Sequence, residues 1–121
     1  MTYLAGMKTY KAIIQLTSDD PKVHRSMIRQ VSNLLAHLGV TVNVRIVCHG
    51  SSMPFCTVGN TFAGDISALL NQHVTIAACR NMLVANGVEA TDLIEGIEVI
   101  PSGIAELVVL QQEGWSYIKA G

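Results

Sequence analysis

Apolar residues along this chain recur in two rhythms, and the changes between them mark its elements. YKAIIQL, Tyr10 to Leu16, reads as a first strand with its buried centre at Ala12, Ile13 and Ile14. In the following TSDDP, Asp20 suits a helix N-cap and Pro21 the first helical position, where its missing N–H costs nothing. Val23, Met27, Val31, Leu34, Leu35 and Leu38 then repeat at helical spacing, with Lys22, Arg25, Arg29, Asn33 and His37 elsewhere on the wheel, and Gly39 closes this helix. Val40 to Cys48 alternates. Val42, Val44, Ile46 and Cys48 face one way, and the semi-polar set Thr41, Asn43, Arg45, Val47 and His49 faces the other. A long loop is predicted from His49 to Asn60, followed by a second helix marked by Phe62, Ile66, Leu69 and Leu70. Val74 to Ala78 is a third strand ending on Cys79, with a short helix directly after it, ended by Gly87. TDLIEG is expected to add a turn capped by Thr91. IEVI, 97 to 100, is a fourth strand, IAELVVLQQEG a largely apolar helix closed by Gly114, and WSYIK, 115 to 119, a fifth strand.

Strict alternation of strand and helix implies parallel pairing, because each return to the same edge needs a crossover. The expected fold is therefore α/β, a single-domain three-layer sandwich with a mainly parallel five-stranded sheet and helices on both faces. One domain is expected over 1 to 121, with residues 1 to 9 a partly ordered N-terminal tail. No repeat, low-complexity segment or linker interrupts it.

Composition changes this picture in one respect. Charged residues are 14% of the chain, against roughly 25% in an ordinary soluble domain. A small domain has much surface for its volume and should need more polar residues, not fewer. A surface rich in Ser, Thr, Asn and Gln is one explanation. Burial of part of the surface against copies of the same chain is the one favoured here. The net charge of −1 gives no electrostatic footprint for nucleic acid or an anionic membrane. No apolar run approaches membrane-spanning length. MTYLAGMKTY lacks the pattern of a secretion signal. Three cysteines, an odd number, then argue against a disulfide framework and for a reducing cytoplasm.

Ligands of open α/β sheets sit outside the carboxyl ends of the strands. Two thiols fall at such ends: Cys48, beside His49 and Gly50, and Cys79, directly before a helix. A helix N-terminus favours a thiolate, the reactive form of cysteine. Arg80 and Asn81 are placed to add charge or a hydrogen bond. The competing reading makes Cys79 a small buried hydrophobe. His49 is a candidate base or anion-binding donor, or a solvated loop residue. Cys56 is either a second thiol or packing for Phe55 and Met53. The cysteine spacing lacks the paired pattern of structural zinc, and neither a dinucleotide fingerprint nor a P-loop is present, so neither metal nor cofactor is expected. Asp65 and Glu106 read as helix-surface or capping residues, and Trp115 and Tyr117 as core or interface aromatics.

Four stretches, RIVCHG, AACRNML around Cys79, VIPSGIAELVVLQQEG and GWSYIK, resemble the DsrE/DsrF-like, also called YchN-like, family. Their order and spacing fit from about Tyr10 to Lys119. The resemblance is to stand-alone members. It implies a sheet flanked by helices and assembly as a homotrimer or homohexamer. It also implies, as in some members, sulfur relay, with sulfur held as a persulfide on one cysteine and passed to a partner protein. The family cysteine lies after the central strand and matches Cys79; His49 and Gly50 match a His-Gly pair of stand-alone members. The resemblance gives no role to Cys48 or Cys56, and leaves open whether the chain is an enzyme. Two alternatives stand beside sulfur handling. One is a non-catalytic oligomeric module binding a small ligand or anion. The other is a structural or regulatory oligomer. In both, Cys79 is inert.

Overall fold

The carboxyl ends of all the strands point to one edge, where most of the predicted site residues lie. The computed structural model describes residues 8–121; residues 1 to 7 of the expected tail lie outside the described residues. Five strands, β1 (Tyr10–Leu16), β2 (Val42–Cys48), β3 (Thr75–Cys79), β4 (Glu98–Ile100) and β5 (Ser116–Lys119), form one sheet in the order β4-β3-β2-β1-β5. Every neighbouring pair is parallel. The middle strand is thus β2, which ends on Cys48. Cys79 ends β3, an interior strand but not the central one that the resemblance implied.

The helices are α1 (Pro21–Leu38), the single turn α2 (Met53–Cys56), α3 (Ala63–Asn71), α4 (Arg80–Asn86) and α5 (Gly103–Gln112). The first four pack on one face of the sheet. There Met27, Val31, Phe55, Ile66 and Leu69 close over Ile14, Leu16, Ile46 and Ile76 in the main core. α5 returns alone across the other face, from the β4 edge to the β5 edge. Beneath it lies a small second core of Ile13, Val47 and Leu107, bordered by Ile100, Leu110 and Trp115. These are the three expected layers. No helix among the described residues is long and apolar enough to cross a membrane.

Local signals act as read at several points. Asp20 caps α1, its carboxylate accepting from the Lys22 N–H at 2.9 Å. Four readings are corrected. β2 begins at Val42, because Gly39–Thr41 continues the preceding helix as a 3₁₀ turn, held by the Thr41 hydroxyl donating to the Leu38 carbonyl. The predicted loop after β2 contains α2, folded because Met53, Phe55 and Cys56 are all buried. The turn near Thr91 is Ala90–Asp92, capped reciprocally by Glu89 and Asp92, not by Thr91. Glu106, read as a surface or capping residue, instead reaches Arg45 at 2.7 Å, while Glu98 holds the same guanidinium at 2.9 Å. Burial alone would lower the Arg45 pKa, but its bonds to Glu98 and Glu106 more than offset this and hold it above its ordinary value. This charge cluster ties α5 to the sheet.

Candidate functional site

The connections leaving β1, β2 and β3 turn to the face of the main core, and the one leaving β4 turns to the other. Between the carboxyl ends of β3 and β4 the chain therefore diverges, and crevices of this kind are where α/β sheets bind ligands. A cleft of about 340 Å³ opens there, its wall including His49, Gly50, Cys79, Asn81, Met82 and the start of α5. A larger hollow, about 730 Å³, lies at the opposite edge between Ser67, His73, Glu95 and Glu98. It contains none of the predicted site residues and no thiol, so the smaller cleft is the candidate site.

Cys79 stands where β3 becomes α4. Its backbone is extended at the N-cap position and its side chain makes no capping hydrogen bond, so the sulfur is not consumed by the helix terminus. It is 6% exposed and borders the cleft beside Met82. The other two thiols differ. Cys48 and Cys56 are both fully buried. The Cys48 thiol is pushed well above its ordinary pKa, first by its hydrogen bond with Cys56 and then by burial, with the Ser52 hydroxyl opposing. A thiol so placed stays protonated, and Cys56 packs inside the main core with Phe55 and Met53.

His49 follows β2 and is fixed from three sides. Its backbone N–H donates to the Leu16 carbonyl at 3.1 Å. Its ring Nε2 accepts from the Gln15 amide at 2.8 Å. Gly103 lies against the ring: a Cβ there would come within 3.0 Å of the His49 Cβ and 3.1 Å of its Cγ, so the histidine would have to give way by a few tenths of an ångström. Burial pulls the His49 pKa below its ordinary value. Gly50 takes φ +64°, which turns the chain so that Ser51 N–H reaches the Thr17 carbonyl at 2.9 Å. At the start of α5, the Ser102 hydroxyl accepts from Ala105 N–H at 3.1 Å. The Gly103 and Ile104 N–H groups, which no preceding turn can satisfy, come at the cleft wall. Among the described residues, no group of three His, Cys, Asp or Glu side chains is arranged to hold a metal ion.

No family model matches the chain, and no curated protein matches it. Solved structures do. A protein of unknown function from Methanobacterium thermoautotrophicum is 34% identical over 91% of this chain and 98% of its own, with a TM-score of 0.87. The ychN protein of E. coli superposes with a TM-score of 0.76 over 93% of this chain and 99% of its own, at 13% identity. The chain is of one family with the Methanobacterium protein and has the YchN-like, DsrE-like fold. A conserved protein of unknown function from Bacteroides thetaiotaomicron, 23% identical over 90% of this chain and 93% of its own, shares the fold with a TM-score of 0.74.

Within this YchN-like fold, four of the five predicted site residues, Cys79, His49, Gly50 and Asn81, border one cleft. Arg80 is exposed and is not part of the cleft wall, because the residue after the N-cap turns away as α4 begins. Sequence reasoning missed Gln15 and the role of Gly103. A polar residue inside an otherwise apolar strand was the available signal for Gln15. For Gly103 it was a glycine directly after a Ser N-cap, a position with no need of a special backbone angle.

Proposed function

We propose that this protein handles sulfur, carrying it as a persulfide on Cys79 and passing it to a partner. The observation that carries the reading is selective placement. All three cysteines are buried in the main core, but Cys79 alone borders the cleft, while Cys48 and Cys56 are fully enclosed. The resemblance to the DsrE/DsrF-like family supports it, since some of its members act in sulfur relay. In the loading step, the Cys79 thiolate attacks the outer sulfur of a donor persulfide. A new S–S bond forms at Cys79 Sγ, the donor's S–S bond breaks, and the departing donor thiolate takes the proton that Cys79 gave up. Delivery is the same exchange onto an acceptor thiol, so no external oxidant or reductant is needed. The exchange needs a thiolate and access, but no general acid–base pair. The first turns of α4 and α5 border the same cleft, and a helix N-terminus favours negative charge near it.

The test is intact-mass spectrometry after incubation with a sulfane-sulfur donor. A gain of one sulfur that disappears in Cys79→Ser is the expected result. A bound small anion with no sulfur loading would instead favour the binding-module reading, and no gain at all would defeat the carrier.

The same reading makes a second copy of the chain the first partner, as a homotrimer or homohexamer, with a sulfur donor or acceptor protein as the next. The outer side of α5 supports this: Ile104, Val108 and Val109 are each at least half exposed, an apolar stripe left bare by the second core. A monomeric mass of 13.0 kDa by light scattering at micromolar concentration would overturn it.

A further inference from the structure

We propose that Gln15 and Tyr117 are positioning residues that fix His49 in its Nδ1–H tautomer, making it a hydrogen-bond donor in the Cys79 cleft rather than a base. The three side chains form a relay that runs from mid-sheet on β5 to the carboxyl end of β2. Tyr117 on β5 donates its hydroxyl proton to the Gln15 Oε1. That contact uses the amide's acceptor and turns its Nε2 toward His49, where it donates to the ring Nε2 at 2.8 Å. A ring nitrogen that accepts a hydrogen bond carries the lone pair, so the proton of the neutral imidazole sits on Nδ1.

The free nitrogen is the informative one. Among the described residues, Nδ1 has no partner within the chain, and no buried side-chain nitrogen or oxygen is left without one. Nδ1 is therefore not buried. His49 is partly exposed and borders the cleft with Cys79. Gly103 packs against the Cβ, Cγ and Cδ2 of the same ring, which hinders it from turning over and exchanging its two nitrogens. Burial disfavours the imidazolium and so favours the neutral ring.

A neutral Nδ1–H cannot accept a proton at that atom, and Nε2 is already engaged. What it can do is donate to an anion. This deepens the sulfur-carrier reading and, in its chemical consequence, rests on it. His49 would stabilise the anionic sulfur of the Cys79 persulfide without competing for its proton, while the position of the ring proton itself is independent of what Cys79 does.

The experiment is long-range ¹H–¹⁵N NMR on the full chain with ¹⁵N-labelled histidine, the His49 signals assigned by their loss in His49→Gln. The expected spectrum shows the Nδ1–H tautomer. In Gln15→Glu a carboxylate faces Nε2, so at a pH where the ring stays neutral it should switch to Nε2–H, and sulfur loading of Cys79 at that pH should slow about tenfold, the scale of one charge-assisted hydrogen bond. Tyr117→Phe, at an exposed position, should shift the same signals partway without threatening the fold. A wild-type Nε2–H tautomer, or signals that neither variant moves, would overturn the proposal. An Nδ1–H tautomer in a protein whose Cys79 never loads upholds the positioning and removes the carrier. Loading with the opposite tautomer does the reverse.

Discussion

Cys48 and Cys79 end adjacent strands of one sheet, and a single step of register separates their fates. Cys48 pairs with Ala78, so Cys79 stands one residue further out. Successive strand residues point to opposite faces. Cys48 is directed into the main core and roofed by α2, with Ser52 and Cys56 buried against it. Cys79 lies where ladder gives way to helix and borders the cleft. A place at the carboxyl edge therefore does not by itself bring a thiol to the cleft. Both thiols belong to the main core, and what covers the strand end decides which of them borders the cleft.

The strongest way to break that contrast is native alkylation followed by mass mapping. Release of Cys48 or Cys56 requires local opening, and an opening free energy of about 3 kcal/mol already slows labelling by about a hundredfold. Cys79 should label faster than either by at least that factor, and Cys79→Ser should abolish the fast phase. Equal rates for all three would erase the distinction. The next effect is on stability. Cys48→Ser places a hydroxyl in a fully buried site and should cost about 1–3 kcal/mol in urea unfolding. Cys79→Ser, at the cleft wall, should cost less than about 1 kcal/mol. A larger loss at Cys79 would mean that its main role is packing.

The smallest effect concerns pH and belongs to the cleft side alone. Because the folded protein holds His49 below the ordinary value of about 6.5, the unfolded chain binds the proton more readily. The associated stability is complete above that ordinary value and is lost as pH falls through the folded one. Thermal unfolding from pH 8 to pH 5 should show a loss in wild type that is shallower in His49→Gln. Identical profiles would place His49 in bulk solvent.

Much of this architecture was legible in the sequence because it is written in local patterns. The alternation from Val42 to Cys48, the Asp20-Pro21 start of α1 and the glycine stops each reflect backbone chemistry within a few residues. The shared edge of His49 and Cys79 followed from parallel topology alone. The missed features depend on distant partners. Gln15 meets residues 34 and 102 positions away, and no periodicity encodes such a meeting. Glu106 looked like a helix-surface residue until folding brought Arg45 beneath it. His24, also unread, is buried between Ser18, whose carbonyl its Nε2 contacts at 2.6 Å, and the edges of Phe55 and Phe62. The local pattern could not have said that aromatic rings would enclose it. Tyr117, expected to be a core or interface aromatic, is 43% exposed on an edge strand and so is not core.

The pairing of β5 with β1 has a consequence for how the molecule is made. A ribosome delivers β1 about a hundred residues before its second neighbour, and chains fold from the N-terminus as they emerge. Until residues 116–119 arrive, β1 is an unprotected edge, open to pairing with another chain. The same late strand brings Tyr117 to Gln15. The nascent four-stranded sheet can thus hold Cys79 and His49 in place before the contact that orients the Gln15 amide exists, so the relay behind His49 is completed only once β5 has been made.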